Sequence, residues 1–126
     1  MNASLSLLGR IGLSLIFIIS GWAKISGYDG TQHYMEAMGV PGALLPLVIL
    51  LELGGGIAIF AGLFTRWVAA IFALFCIASA LIFHSNFADA MQATSFWKNI
   101  AMAGGFLMLV AHGAGACSID GLRNRA

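Results

Sequence analysis

Apolar residues fall into four runs along this chain, at about 4–25, 41–64, 67–84 and 98–116, separated by two polar connections and one very short turn. A helix needs about 20 mostly apolar residues to cross about 30 Å of hydrocarbon, so each run predicts a membrane-spanning helix. In the first run Arg10, Ser14, Phe17, Gly21 and Lys24 recur at helical spacing and form one narrow stripe. Lipid offers nothing to a guanidinium or a hydroxyl, so that stripe is expected to face the inside of a bundle. Because Arg10 lies within the apolar run and further runs come after it, a span is expected here rather than a cleaved leader. The second run carries one charge, Glu52, near its middle. Gly54, Ala58 and Gly62 repeat at every fourth position, with Gly55 on the same side, which predicts close helix packing. Thr65-Arg66 reads as the turn into an antiparallel third helix, whose small face is Ala69, Ala73, Cys76 and Ala80. The connection at 26–42 suggests a short surface helix capped by Thr31, and 84–98 reads as a second polar connection. The last run is short and needs residues 113–116 to approach full length.

Composition turns this pattern into a class. Of 126 residues, 60% are hydrophobic and 9% charged, against about a quarter charged in soluble domains. The expected fold is all-α, an integral membrane four-helix bundle forming a single domain over residues 1–126. Arg10, Arg66, Arg123 and Arg125 fall on one side and Lys24 and Lys98 on the other. That bias predicts cytoplasmic termini, short cytoplasmic connections and longer periplasmic ones. A net charge of +1 without a basic tract gives nucleic-acid binding no footing. Cys76 and Cys117 form no paired motif, and no His, Cys or carboxylate spacing suggests a metal.

Glu52 is the first candidate for chemistry. A carboxylate at that depth costs on the order of 3 kcal/mol, so it should face a partner or a wet cavity. Arg10 is the expected partner, about 9 Å away along the axis if the two helices align antiparallel. A second cluster is expected at the outer face, with Lys24, Asp29, His33, His84, Asn86, Asp89, Lys98 and Asn99. There His84, Lys24, Lys98 and Asn99 could orient the polar end of a ligand, while Gly55 and Gly56 could open room for a flat ring. Each feature has a plainer reading: an ion pair that fixes register, glycines that pack, and solvated interfacial charges.

These residues also carry a likeness. Arg10, Phe17-x-x-x-Gly21-x-x-Lys24, Pro46-x5-Glu52-x-x-Gly55-Gly56, Gly62-x-x-Thr65-Arg66, His84, Asn99, Gly104-Gly105 and Gly113-x-Gly115-x-x-Ser118-x-Asp120 occur in this order. Over nearly the whole chain this resembles the DoxX family of small four-helix membrane proteins, nearest its short bacterial inner-membrane members. The resemblance implies a bundle in the cytoplasmic membrane. The family is similar to the small subunit of archaeal thiosulfate:quinone oxidoreductase, and other members are linked to redox-stress assemblies. The leading expectation is a quinone-linked oxidoreductase component, with Glu52 and Arg10 catalytic and a membrane quinone held near Lys24, Gly55, Gly56, His84, Lys98 and Asn99. The alternatives are a non-catalytic assembly protein with a structural Arg10/Glu52 pair, packed on a partner subunit or its own copy, and a small transporter or lipid-binding protein.

Overall fold

Asn2 begins the first long helix, its side-chain oxygen accepting from the Ser4 and Leu5 amides. The computed structural model describes residues 2–125 and contains six helices: α1 (Ala3–Ser26), α2 (Tyr28–Ala37), α3 (Gly42–Ala61), α4 (Thr65–Phe83), α5 (Ala90–His112) and α6 (Ile119–Arg125). The described residues include no strand. Helices α1, α3 and α4 are long and apolar enough to cross a membrane. Helix α5, at 23 residues, is long enough but polar in its first turns.

The bundle is built with its polar atoms inside. On α1 the buried residues are Arg10, Ser14, Phe17 and Gly21, the stripe expected from the spacing, whereas Leu5, Leu8, Ile19 and Trp22 are exposed. Lipid tails are as apolar as Leu, so such outward residues cost nothing in a bilayer, and packing is left to small residues and aromatic contacts. Phe17, Phe72 and Phe106 supply those contacts, with ring centroids 4.4 Å apart for Phe17–Phe72 and 5.1 Å for Phe72–Phe106. Ala69, Ala73, Cys76 and Ala80 are buried, as expected of the small face of α4. Both cysteines are unpaired.

Helix α3 departs from the expected regular span. It opens as a 3₁₀ turn and contains a π turn over Leu51–Gly55. A π turn adds a residue and rotates the rest of the helix about its axis, so the expected small face packs only in part: Gly55 and Gly62 are closely packed, and Gly54 is not. Gly54 is exposed, with only Leu50 nearby. Gly55 instead lies on Phe72 of α4, where a Cβ would come within 2.8 Å of the ring, and Gly56 lies on Ser14 and Ile18 of α1. Gly55 and Gly56 are therefore packing positions against two different helices.

Three boundaries also differ from expectation. Helix α2 starts at Tyr28, and Thr31 sits inside it, donating its hydroxyl to the Gly27 carbonyl rather than capping. The turn before α4 is residues 62–64, and Thr65 and Arg66 already belong to the helix. Helix α5 starts at Ala90 because Asp89 accepts from the Met91 amide and no Gly or Pro interrupts residues 90–98. It stops at His112, since Gly113 and Gly115 take positive φ and turn the chain back over the bundle end.

Candidate functional site

Packing Gly21 against Glu52 and Leu53 fixes how α1 and α3 face each other. An added Cβ on Gly21 would lie 3.1 Å from the Leu53 nitrogen and 3.2 Å from the Glu52 Cβ. Glu52, held within the π turn and 3% exposed, is thereby placed beside Lys24, one turn further along α1. Lys24 Nζ lies 2.7 Å from Glu52 Oε1. No further hydrogen bond reaches Oε1 among the described residues. The lysine is the more accessible partner, its side chain 28% exposed, so the charge at mid-bundle connects to the outer rim through a flexible stem.

The pair borders a cavity of about 440 Å³. Helix α1 contributes Phe17, Ser20 and Lys24, and α3 contributes Val48 and Glu52. The far wall is Phe75, Ser79 and Phe83 of α4, then His84, with Asn99 and Met102 from α5. Helix α2 covers one end with Thr31, Tyr34 and Met35, and the Tyr34 ring stacks on Phe83 at 5.4 Å. An apolar slot with a few convergent polar groups is the usual form of a small-molecule site.

The expected outer cluster is thus divided. Lys24, His84 and Asn99 reach the cavity, and the Asn99 side-chain nitrogen donates to the Ser95 carbonyl at 3.0 Å. Lys98, Asp29, His33, Asn86 and Asp89 are exposed and lie outside its lining. Gly55 and Gly56 serve helix packing rather than the cavity wall. Ser20, Ser79 and Tyr34 line the cavity, although nothing in their sequence context sets them apart as site residues.

Arg10 is not the partner of Glu52. It sits level with residues 59–62, about 10–15 Å along the axis from Glu52 at 1.5 Å per residue, because the glycine contacts set a different register from simple alignment. Its guanidinium is fully buried and donates only to carbonyls: Nε to Ala114 at 3.1 Å, Nη1 to Ile59 at 3.1 Å and Phe60 at 2.8 Å, and Nη2 to Cys117. Those of Ile59 and Phe60 end α3, where Gly62 takes φ 74° and Leu63 donates to Ala58 at 2.8 Å. Asp120 completes this clasp. Its two oxygens accept from the Phe64 and Thr65 amides at 2.9 and 2.8 Å, capping α4, while its own amide donates to Gly62. Partial burial pushes the Asp120 carboxyl up, but the bonds from Thr65 and Phe64, with Arg123 nearby, hold it below the usual carboxylate range.

A bundle of membrane-length helices with a buried carboxylate paired to a lysine on an internal slot defines a class of small polytopic membrane protein. The DoxX family profile matches residues 5–85, well over half of the chain, and the protein belongs to that family. It is 55% identical over 94% of its length to the inner membrane protein YqjF of Escherichia coli, covering 92% of that protein. It is 40% identical to the inner membrane protein YphA of the same organism, over 92% of this chain and 88% of YphA. A shorter stretch, 55% of this chain and 52% of the relative, is 36% identical to CatD of Bacillus subtilis, named as a candidate oxidoreductase. No solved structure matches the chain. The protein is an integral inner-membrane protein, in contact with lipid over its outward helix faces.

Proposed function

We propose that the protein is a component of a quinone-linked oxidoreductase and that the cavity beside Glu52 holds the ring of a membrane quinone. The observation that carries this reading is the Lys24–Glu52 pair set on an aromatic-walled slot of about 440 Å³. The residues suit such a guest. Phe17, Phe75 and Phe83 offer flat apolar walls, and Lys24, Asn99, His84, Ser20 and Ser79 offer polar groups for ring carbonyls. When bound, the quinone supplies the two-electron chemistry that no side chain here provides. Glu52 holds or releases a proton at Oε1, and Lys24 Nζ steadies the carboxylate and leads toward the rim covered by α2. Electrons come from a partner subunit. With both termini cytoplasmic, the α2 end of the cavity faces the periplasm. The candidate oxidoreductase assignment carried by CatD points the same way. Arg10 has no place in this chemistry and serves the clasp.

The seating of Gly21 on Glu52 also favours a second reading, a non-catalytic assembly protein in which the ion pair only sets helix register. Native mass spectrometry with lipid extraction, on wild type and Glu52→Gln in mild detergent, separates the two. Stoichiometric quinone on the wild type, lost in a folded Glu52→Gln protein, is the expected result. A wild type without quinone, bound instead to another protein chain or to its own copy, would overturn it.

A further inference from the structure

An open groove of about 690 Å³ lies at the opposite end of the bundle from α2, where α4 begins and α5 ends. Arg66, Arg123 and His112 bring its donors, and Phe64 and Trp67 form its apolar side. The one acid on its lining, Asp120, already has both oxygens on the Phe64 and Thr65 amides. Arg66 lies along Gly113, where a side chain would come within 3.2 Å of its Nε, and Arg123 lies over the Phe64 ring at 4.9 Å. Gly113 and the Phe64 ring carry no charge; Arg123 feels Asp120 only at longer range, and neither guanidinium forms a salt bridge among the described residues.

The surroundings indicate the source of the ligand. Trp67 is 77% exposed at the first turn of a membrane-length helix, a position typical of the lipid headgroup level. From it an apolar stripe, Trp67, Ile71, Leu74 and Leu81, runs down the outer face of α4, all exposed. A phosphate seated between Arg66 and Arg123 would lay its acyl chains on that stripe. From this we infer that the groove is a binding site for the headgroup of an anionic phospholipid, independent of the ligand cavity. Basic pockets at helix ends recognise such headgroups by charge, with about 1 kcal/mol per Arg near the surface.

The test uses the full-length protein in mild detergent. Retention of dioleoyl phosphatidylglycerol is read by native mass spectrometry against the zwitterionic phosphatidylcholine of the same chains, with inorganic phosphate as competitor. The wild type should retain phosphatidylglycerol selectively. Arg66→Gln/Arg123→Gln should weaken it roughly 25-fold, about fivefold per charge, while Arg66→Lys/Arg123→Lys keeps most of the affinity. Should the double Gln variant fail to fold, Arg123→Gln alone, at an exposed position, should still show the fivefold loss. Equal retention of both lipids, or of phosphatidylglycerol by wild type and Gln variants, would overturn the proposal. Displacement of the lipid by millimolar inorganic phosphate would also overturn it, marking a site for a soluble anion instead.

Discussion

The two ends of this bundle use buried charge in opposite ways. At the clasp, Arg10 spreads one guanidinium over four carbonyls from the end of α3 and the segment after α5, and Asp120 closes the start of α4. Every charged atom there is taken up by backbone that would otherwise lack partners, which is what a structural site requires. At the cavity, Glu52 meets one lysine, in a distorted turn, against open volume. Evenly satisfied charge holds a fold together, whereas charge left facing a slot is available to a guest. The sequence contains both as lone ionisable residues in apolar runs, and only their partners separate them.

Breaking the clasp should have the largest effect. Arg10→Ala leaves buried carbonyls at the end of α3 and beyond α5 without donors, at about 1–3 kcal/mol for each that water cannot reach. A loss on the order of 5 kcal/mol is expected, read as a collapse of thermal stability in detergent and poor accumulation in the membrane. If Arg10→Ala melts like wild type, the contrast between the two ends is wrong. Gly62→Ala comes next. It places a side chain on a left-handed residue, 2.8 Å from Arg10 Nη1 and closer still to the Ser118 Cβ. Strain and overpacking together cost about 3 kcal/mol, and Gly104→Ala, with open space around it, is the control that should melt near wild type.

Substitution at the cavity should separate function from stability. In Glu52→Gln the carboxamide keeps the shape of the side chain, and Lys24 can extend toward the rim. Thermal stability should fall by about 1 kcal/mol or less, while ligand retention, or turnover in the intact assembly, is abolished. A melting loss as large as that of Arg10→Ala, with turnover intact, would make the pair structural and erase the distinction between the two ends.

Much of the fold is legible in the sequence, for reasons visible in particular residues. The stripe from Arg10 to Gly21 and the small face from Ala69 to Ala80 follow helical periodicity, and the bundle buries both. The π turn at Glu52 is not legible, because nothing in Leu51-Glu52-Leu53-Gly54-Gly55 distinguishes it from an ordinary turn. That single insertion leaves Gly54 outside the packing and sets Gly55 and Gly56 against two different helices, and the seating of Gly21 and Gly56 sets the register that gives Glu52 to Lys24 instead of Arg10. Residues 90–98 are hidden for another reason. Their polarity suggests a connection, while the Asp89 cap and the absence of a breaker make a helix. The site is half legible: Glu52, Lys24, His84 and Asn99 converge, whereas Lys98 is exposed outside the cavity, and Ser20, Ser79 and Tyr34 are distinguished only by where the helices put them.

The smallest expected effect is at Asp120, and its sign is specific. The folded protein holds this carboxyl below its ordinary value, so the stabilisation is present in full above the unfolded value of about 4 and fades as pH falls through the lower folded one. Asparagine offers one oxygen where aspartate offers two, so Asp120→Asn keeps one of the amides of Phe64 and Thr65 and loses the other, along with the attraction to the N-terminus of α4. The loss should be about 1 kcal/mol at neutral pH. Melting curves of both proteins across pH 3–7 isolate the effect, because all other carboxyl groups titrate in common. The two curves should converge toward the acid end and separate toward neutrality. A gap that stays constant with pH would mean that Asp120 contributes by shape alone, and the clasp would then rest on the guanidinium of Arg10.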